Sequence, residues 1–323
     1  MAALIDSKIS HSDLISFGQE RVNLPREQVD AYREQASNLR DRLERHIHLN
    51  PKFDLAKVRE SGSLPKGTAL RSASDMDLAV YVKRAAAPER TPDLVAWMLG
   101  LLRGAYSFLD PSQFSCDDTA VRISYRGSGI DVEMVPVLYD GDADDYGELI
   151  LRTGKRVRTS IKKHIEFIRT RKSRYSTNFA QVARLLKYWR NVQARSTNLA
   201  LTSFSMELLL AHAVDNGISP TNYPAALESF FAMIVKGGLR ERISFSDNYA
   251  SSALSRARAG VVEIFDPVNA ANNVAADWTE TDRSAIVEAA HDALDDVTLA
   301  RTAPTKQAAL AAWRSLFGPE FNV

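Results

Sequence analysis

Apolar residues along the chain change their spacing twice, and the changes divide it. After Leu24-Pro25, the residues Val29, Tyr32, Ala36, Leu39, Leu43 and Ile47 recur every three or four positions. That is one face of a helix whose other face is charged. Pro25 suits its first turn and Asn50-Pro51 its end. The pattern then shortens to strands. Residues 78–82 are an apolar run rich in β-branched and aromatic side chains, and 121–125 alternate like a half-buried strand. Gly127-Ser128-Gly129 signals a turn before a further strand over 130–138, so the two strands predict a hairpin. From about residue 157 the spacing is helical, with helices predicted over 179–189, 205–214, 223–235, 282–295 and 306–317. Gly100, Gly217, Gly237-Gly238 and Pro267 act as punctuation. The expected organisation is a helical segment 1–50 bridging two lobes, an α/β lobe over 51–165, and a helical lobe over 166–323.

Composition narrows the function classes. Of 323 residues, 45% are hydrophobic and 25% charged, which excludes a disordered or fibrous chain. The 41 Lys+Arg nearly cancel the 40 Asp+Glu, which argues against a surface coated with nucleic acid and leaves room for a local basic groove. One such stretch exists: residues 155–174 carry nine Lys/Arg and one Glu. It reads as a solvated face, an anion-holding rim or a docking surface. The acidic run 140–145 reads as a flexible loop. Cys116 is the only cysteine, so no intrachain disulfide and no cysteine-based zinc site is expected. His164, His212 and His291 lack ligand spacing and read as structural. The N-terminus is polar, and no apolar run approaches the ~20 residues that span a bilayer. A soluble, cytoplasmic protein without membrane contact is expected.

The chemistry concentrates in residues 61–82. Gly62-Ser63 is expected where a strand gives way to a short helix, with backbone N–H groups and the Ser63 hydroxyl free to donate to a phosphate. Asp75 and Asp77 stand two apart at the start of the apolar strand, so both carboxylates project from one face. Such a pair repels itself unless cations neutralise it, and hard oxygen ligands suit Mg²⁺. Asp131 and Glu133, also two apart, repeat the pattern on the second hairpin strand and supply a third carboxylate for a two-metal phosphoryl-transfer site. A lone Gly-Ser or a lone Asp-x-Asp says little; the combination is hard to explain structurally.

These residues resemble the active-site signature of the polymerase β-type nucleotidyltransferases. Lys66-Gly67-Thr68-x-Leu70-Arg71 followed by Ser74-Asp75-x-Asp77-Leu78 is similar to oligoadenylate synthases. Residues 185–189 (LLKYW), 203–209 (SFSMELL) and 264–276, with its Asp-Pro and Asn-Val-Ala, extend the likeness. Within that superfamily the pattern looks most like bacterial cGAS/DncV-like nucleotidyltransferases of the clade associated with HORMA-domain proteins. The implied fold is α+β: a palm with a mixed sheet and an all-helical C-terminal lobe.

The resemblance implies an enzyme that joins NTPs, ATP foremost, into a cyclic oligonucleotide second messenger in antiphage defence. Asp75 and Asp77 would hold two Mg²⁺ ions, with Mn²⁺ as an alternative. Gly62, Ser63, Lys66, Lys187, Ser203, Asp266 and Asn273 would bind nucleotide. The third carboxylate usually precedes the proline by three positions and is Asp; here that position is Glu133, with Asp131 one pleat earlier, and both stay open. Without the resemblance, Lys187 reads as a snorkelling lysine, Ser203 as an N-cap for a helix near Ser205, Asp266 as a turn cap and Asn273 as a backbone partner. A HORMA-domain activator and a downstream effector nuclease are the implied partners, with nucleic acid only as an activator. A linear oligoadenylate synthase, a CCA-adding enzyme, a protein-modifying antitoxin and a silent nucleotide-binding scaffold remain as alternatives.

Overall fold

The computed structural model describes residues 9–49, 55–72, 75–88, 91–150 and 155–323. The expected helix end at Asn50-Pro51 and Ser74 of the motif lie outside them. The chain forms two units, residues 24–166 and residues 1–23 with 167–323. The segment expected as 1–50 is thus divided. Helix α1 (His11–Phe17), with a Ser10/Asp13 capping box, runs on through a π-helical turn and belongs to the second unit, while α2 (Arg26–Leu49) belongs to the first.

In the first unit, β1 (Leu55–Glu60), β2 (Asp75–Lys83), β3 (Phe114–Cys116), β4 (Val121–Tyr125) and β5 (Ile130–Tyr139) form a sheet in the order β1-β2-β5-β4-β3. β6 (Gly147–Ile150) and β7 (Arg156–Thr159) extend it beside the second half of β5. β2 and β5 run parallel and the β4–β5 hairpin is antiparallel, so the sheet is mixed. Helices α2 and α3 (Thr91–Ala105) cover one face, where Leu39, Leu43, Met98 and Leu102 meet Met76, Leu78, Val80, Val132 and Met134. The two-residue period of a strand then sends the odd-numbered residues of β2 and β5 to the other face. There Ala79, Tyr81 and Val137 make a small apolar cluster, and the same parity carries Asp75, Asp77, Asp131 and Glu133.

Two expectations are corrected. Gly100 does not punctuate; it lies inside α3, whose apolar residues crowd several faces and blur the helical period. The acidic run 140–145 is pinned rather than loose. Asp145 is buried against Lys57 and, at 2.5 Å, Arg59, while the Tyr81 hydroxyl donates to its carbonyl at 3.4 Å. Burial, foremost, pushes the Tyr81 phenol up to about 12.

The second unit continues with α4 (Ile161–Tyr175), within which the unit boundary falls, then α5 (Asn178–Gln193), α6 (Ser203–Asp215) and α7 (Tyr223–Gly237). α8 (Glu280–Thr302) and α9 (Lys306–Phe317) close it. It also holds a small sheet that helical spacing does not announce, β8 (Arg242–Ile243), β9 (Glu263–Asp266) and β10 (Asn269–Asn273). Strands this short carry too few residues to show a period. α1 is held here by Phe17, whose ring lies 5.3 Å from Phe317 and 4.8 Å from Phe321.

Candidate active site

The parallel register sets Asp75 beside Asp131 and Asp77 beside Glu133, and the antiparallel register sets Arg122 of β4 beside Glu133. All five side chains share the sheet face opposite α2 and α3. Covering four carboxylates with α2 and α3 would desolvate them at high cost, so the apolar alternation of both strands fixes the choice. The Arg122 guanidinium donates to Glu133 Oε1 at 3.0 Å and lies 3.6 Å from Asp75 Oδ2 and 3.9 Å from Asp131 Oδ2. The bond to Glu133, and then these charges, hold the guanidinium pKa above its ordinary value. Arg122 escapes a reading of the sequence because its partner is defined only by strand register. Tyr32 of α2 escapes it for a similar reason: it is one more apolar-face residue in the helical pattern. Burial and then the charges of Asp75 and Asp131 push its phenol up.

Gly62 and Ser63 follow β1, as expected, but a closed turn over 62–67 replaces the short helix. Gly67 N–H donates to Leu64 O and Thr68 N–H to Ser63 O, each at 3.0 Å. Pro65 has no N–H, and Gly62 and Gly67 sit at φ +66° and +71°, where a right-handed helix cannot continue. Ser61 N–H donates to Asp77 O at 2.8 Å, which ties the turn to β2. Lys66 sits on this turn, partly exposed.

The donor set fits a particular kind of metal binding. Among the described residues no three Asp, Glu, His or Cys side chains converge on one point. Carboxylates held apart suit Mg²⁺, which keeps its waters and binds through one or two carboxylates together with substrate phosphates.

The remaining expected residues lie in the second unit. Lys187 does not snorkel: it and Glu207 are each 2% exposed, and Lys187 Nζ lies 2.5 Å from Glu207 Oε1. Ser203 is exposed and accepts from Arg190 at 3.1 Å; the N-cap of α6 is Thr202, one residue earlier, paired with Ser205. Asp266 accepts from Val268 N–H at 2.9 Å and Asn272 at 3.1 Å, so it caps a turn. Asn273 donates to Ala259 O and Val262 O and accepts from the N–H groups of Ile264 and Ala275. These bonds use its whole hydrogen-bonding capacity.

No family model matches the chain. Its sequence is 42% identical over 316 residues to the cyclic AMP-AMP-AMP synthase of Escherichia coli strain MS 115-1, covering 97% of this chain and 98% of that protein. It is 27% identical over 321 residues to the CBASS oligonucleotide cyclase CdnC of Escherichia coli strain KTE188, covering 98% of each. Two solved structures of E. coli MS115-1 CdnC match it at 42% identity. One, with ATP, has a TM-score of 0.93 and covers 98% of this chain and 100% of that one. The other, a complex with HORMA-deltaN, has a TM-score of 0.92 and covers 98% and 99%. The chain belongs to the CBASS oligonucleotide cyclases, which are nucleotidyltransferases. Among the described residues no helix is long and apolar enough to cross a membrane.

Proposed function

We propose that this cyclase joins ATP into a cyclic oligoadenylate, with cyclic AMP-AMP-AMP as the first product to seek, and that a HORMA-domain protein activates it. The observation that carries the reading is the pairing of Asp75 and Asp77 with Asp131 and Glu133 on the sheet face opposite α2 and α3, with the Gly62-Ser63 turn against Asp77. A 42% identical synthase and an ATP-bound relative support the substrate, and the HORMA complex supports the partner. ATP is a cytoplasmic substrate, so the work belongs in the cytoplasm, and an effector nuclease would read the product.

The reaction is in-line attack of a ribose hydroxyl on the α-phosphate of ATP, with pyrophosphate leaving. Asp75 and Asp77 would hold the Mg²⁺ ions, joined by Glu133 or Asp131. When bound, the ions neutralise the triphosphate and acidify the attacking hydroxyl. The β5 carboxylate on that side receives the hydroxyl proton. Backbone N–H groups of Gly62 and Ser63, the Ser63 hydroxyl and the Lys66 ammonium orient phosphate oxygens. Within the helical unit Lys187 is engaged by Glu207, whereas exposed Ser203, with the Arg190 guanidinium beside it, offers donors to a phosphate. Asp266 and Asn273 act by shaping the β8–β10 segment rather than by touching nucleotide.

The test is incubation with Mg²⁺ and all four NTPs, with and without the HORMA protein, then phosphatase and mass spectrometry. A phosphatase-resistant cyclic product absent from Asp75→Asn/Asp77→Asn is expected. Linear products with a phosphatase-sensitive triphosphate would make the chain a linear oligoadenylate synthase, and label passing only to added tRNA would make it a CCA-adding enzyme. Nucleotide binding without turnover, partner present, would make it a scaffold.

A further inference from the structure

The Arg122 guanidinium lies over the carboxylate face rather than at its rim. Its own cross-strand partner is Glu133 on the adjacent strand β5, and an ordinary pair would end there. Yet it also comes within 3.6 Å of Asp75, which stands one strand farther away on β2, and within 3.9 Å of Asp131. One cation therefore serves three carboxylates on two strands. Side chains here are about a third exposed, 31–37%, so an ion from solvent can reach the same oxygens.

We propose that Arg122 is a positioning residue that acts as the resident counter-charge of the metal face: it holds Glu133 in place and yields Asp75 and Asp131 to an incoming divalent ion. This rests on the metal reading above. A divalent cation bound at Asp75 would stand next to the guanidinium, and two positive charges at about 4 Å repel strongly near a protein surface. The two are alternatives at Asp75 and Asp131, whereas the hydrogen bond to Glu133 can persist. The guanidinium has room to withdraw. A cavity of about 230 Å³, lined by Ser115, Cys116, Asp117, Ala120, Arg122 and Glu133, opens on the β3 side, so no strand has to move. The arrangement offsets the mutual repulsion of Asp75, Asp131 and Glu133 before metal and nucleotide arrive, and it makes empty protein bind metal weakly.

The experiment uses nucleotide-free full-length protein and Mn²⁺ alone, followed by the electron paramagnetic resonance of the free ion. Arg122→Gln is expected to bind Mn²⁺ on the order of tenfold or more tighter than wild type, because its competitor is gone. Its melting temperature should fall in EDTA and recover with Mn²⁺. Arg122→Lys keeps the charge without the planar fork, so it should bind Mn²⁺ as wild type does but turn over more slowly at an unchanged KM for ATP. In wild type, the Arg122 Nε–H resonance, assigned by its loss in Arg122→Lys, should shift as Mg²⁺ is added, an observation that does not need the Gln variant to fold. Equal Mn²⁺ affinity in wild type and Arg122→Gln, or a resonance that Mg²⁺ does not move, overturns the proposal. If neither protein takes up Mn²⁺ while Asp75→Asn/Asp77→Asn looks the same, the metal reading itself falls, and this one with it.

Discussion

A β-carbon on residue 62 would stand 1.7 Å from Oδ2 of Asp77 and 2.6 Å from its Cγ, so the carboxylate lies where any other residue's side chain would begin. Gly62 is also in the left-handed region, at φ +66°. Gly62→Ala therefore displaces Asp77 and strains the turn at once. ATP turnover should fall on the order of a hundredfold, as for a misplacement of about 1 Å at a reacting centre. Circular dichroism should show the fold kept. Turnover within about twofold of wild type would remove this contact from the catalytic machinery.

Lys187 and Glu207 form a pair that water does not reach. Removing one partner strands the other charge in the core, so Lys187→Met should lose about 3–5 kcal/mol in a urea titration. Lys187→Met/Glu207→Leu should regain most of it. The double variant also isolates the nucleotide role: a raised KM for ATP in a protein of restored stability would assign Lys187 to the triphosphate, and an unchanged KM would leave it a structural residue.

His11 should make stability depend on pH. Its Nδ1 accepts the Tyr223 N–H at 3.1 Å and its ring stands 4.2 Å from the Tyr223 ring. Burial holds the imidazole below the usual histidine value, and a proton on Nδ1 would break the bond. The unfolded chain then binds the proton more readily. Stability from this group is complete above about pH 6.5 and is lost as pH falls through the lower folded pKa. His11→Gln should flatten that part of a plot of melting temperature against pH; an equal slope in both proteins would exclude His11 as the source.

Gly100 offers a gain. It lies exposed within α3, and a β-carbon added there would meet nothing within 4 Å, so Gly100→Ala should add about 0.5–1 kcal/mol by differential scanning calorimetry. A lower melting temperature would mean that this face of α3 is already occupied.

The carboxylates were legible because strand parity is local: Asp75 and Asp77, like Asp131 and Glu133, declare a shared face by being two apart. That the two faces are one face depended on β2 pairing with β5, a long-range parallel contact with a helix and two strands between them in sequence. Arg122 and Tyr32 were hidden for that reason. Lys187 showed its apolar helix but not Glu207, which comes from the next helix, and Asn273 showed its motif but not the four backbone groups it serves. α3 was lost because an almost wholly apolar helix has no polar face to give it a period.

The way the second unit is assembled from both ends of the chain bears on how the protein is made. On the ribosome, residues 24–166 are contiguous and can fold as soon as they emerge, whereas Phe17 must wait for Phe317 and Phe321. Until α9 and Phe321 have been made, Phe17 has only its Tyr188 neighbour, at 5.5 Å, among these rings. A chain cut short before α9 leaves Phe17 without its Phe317 and Phe321 neighbours and more open to proteases and chaperones. Quality control can thus read the loss of α9 in the state of α1.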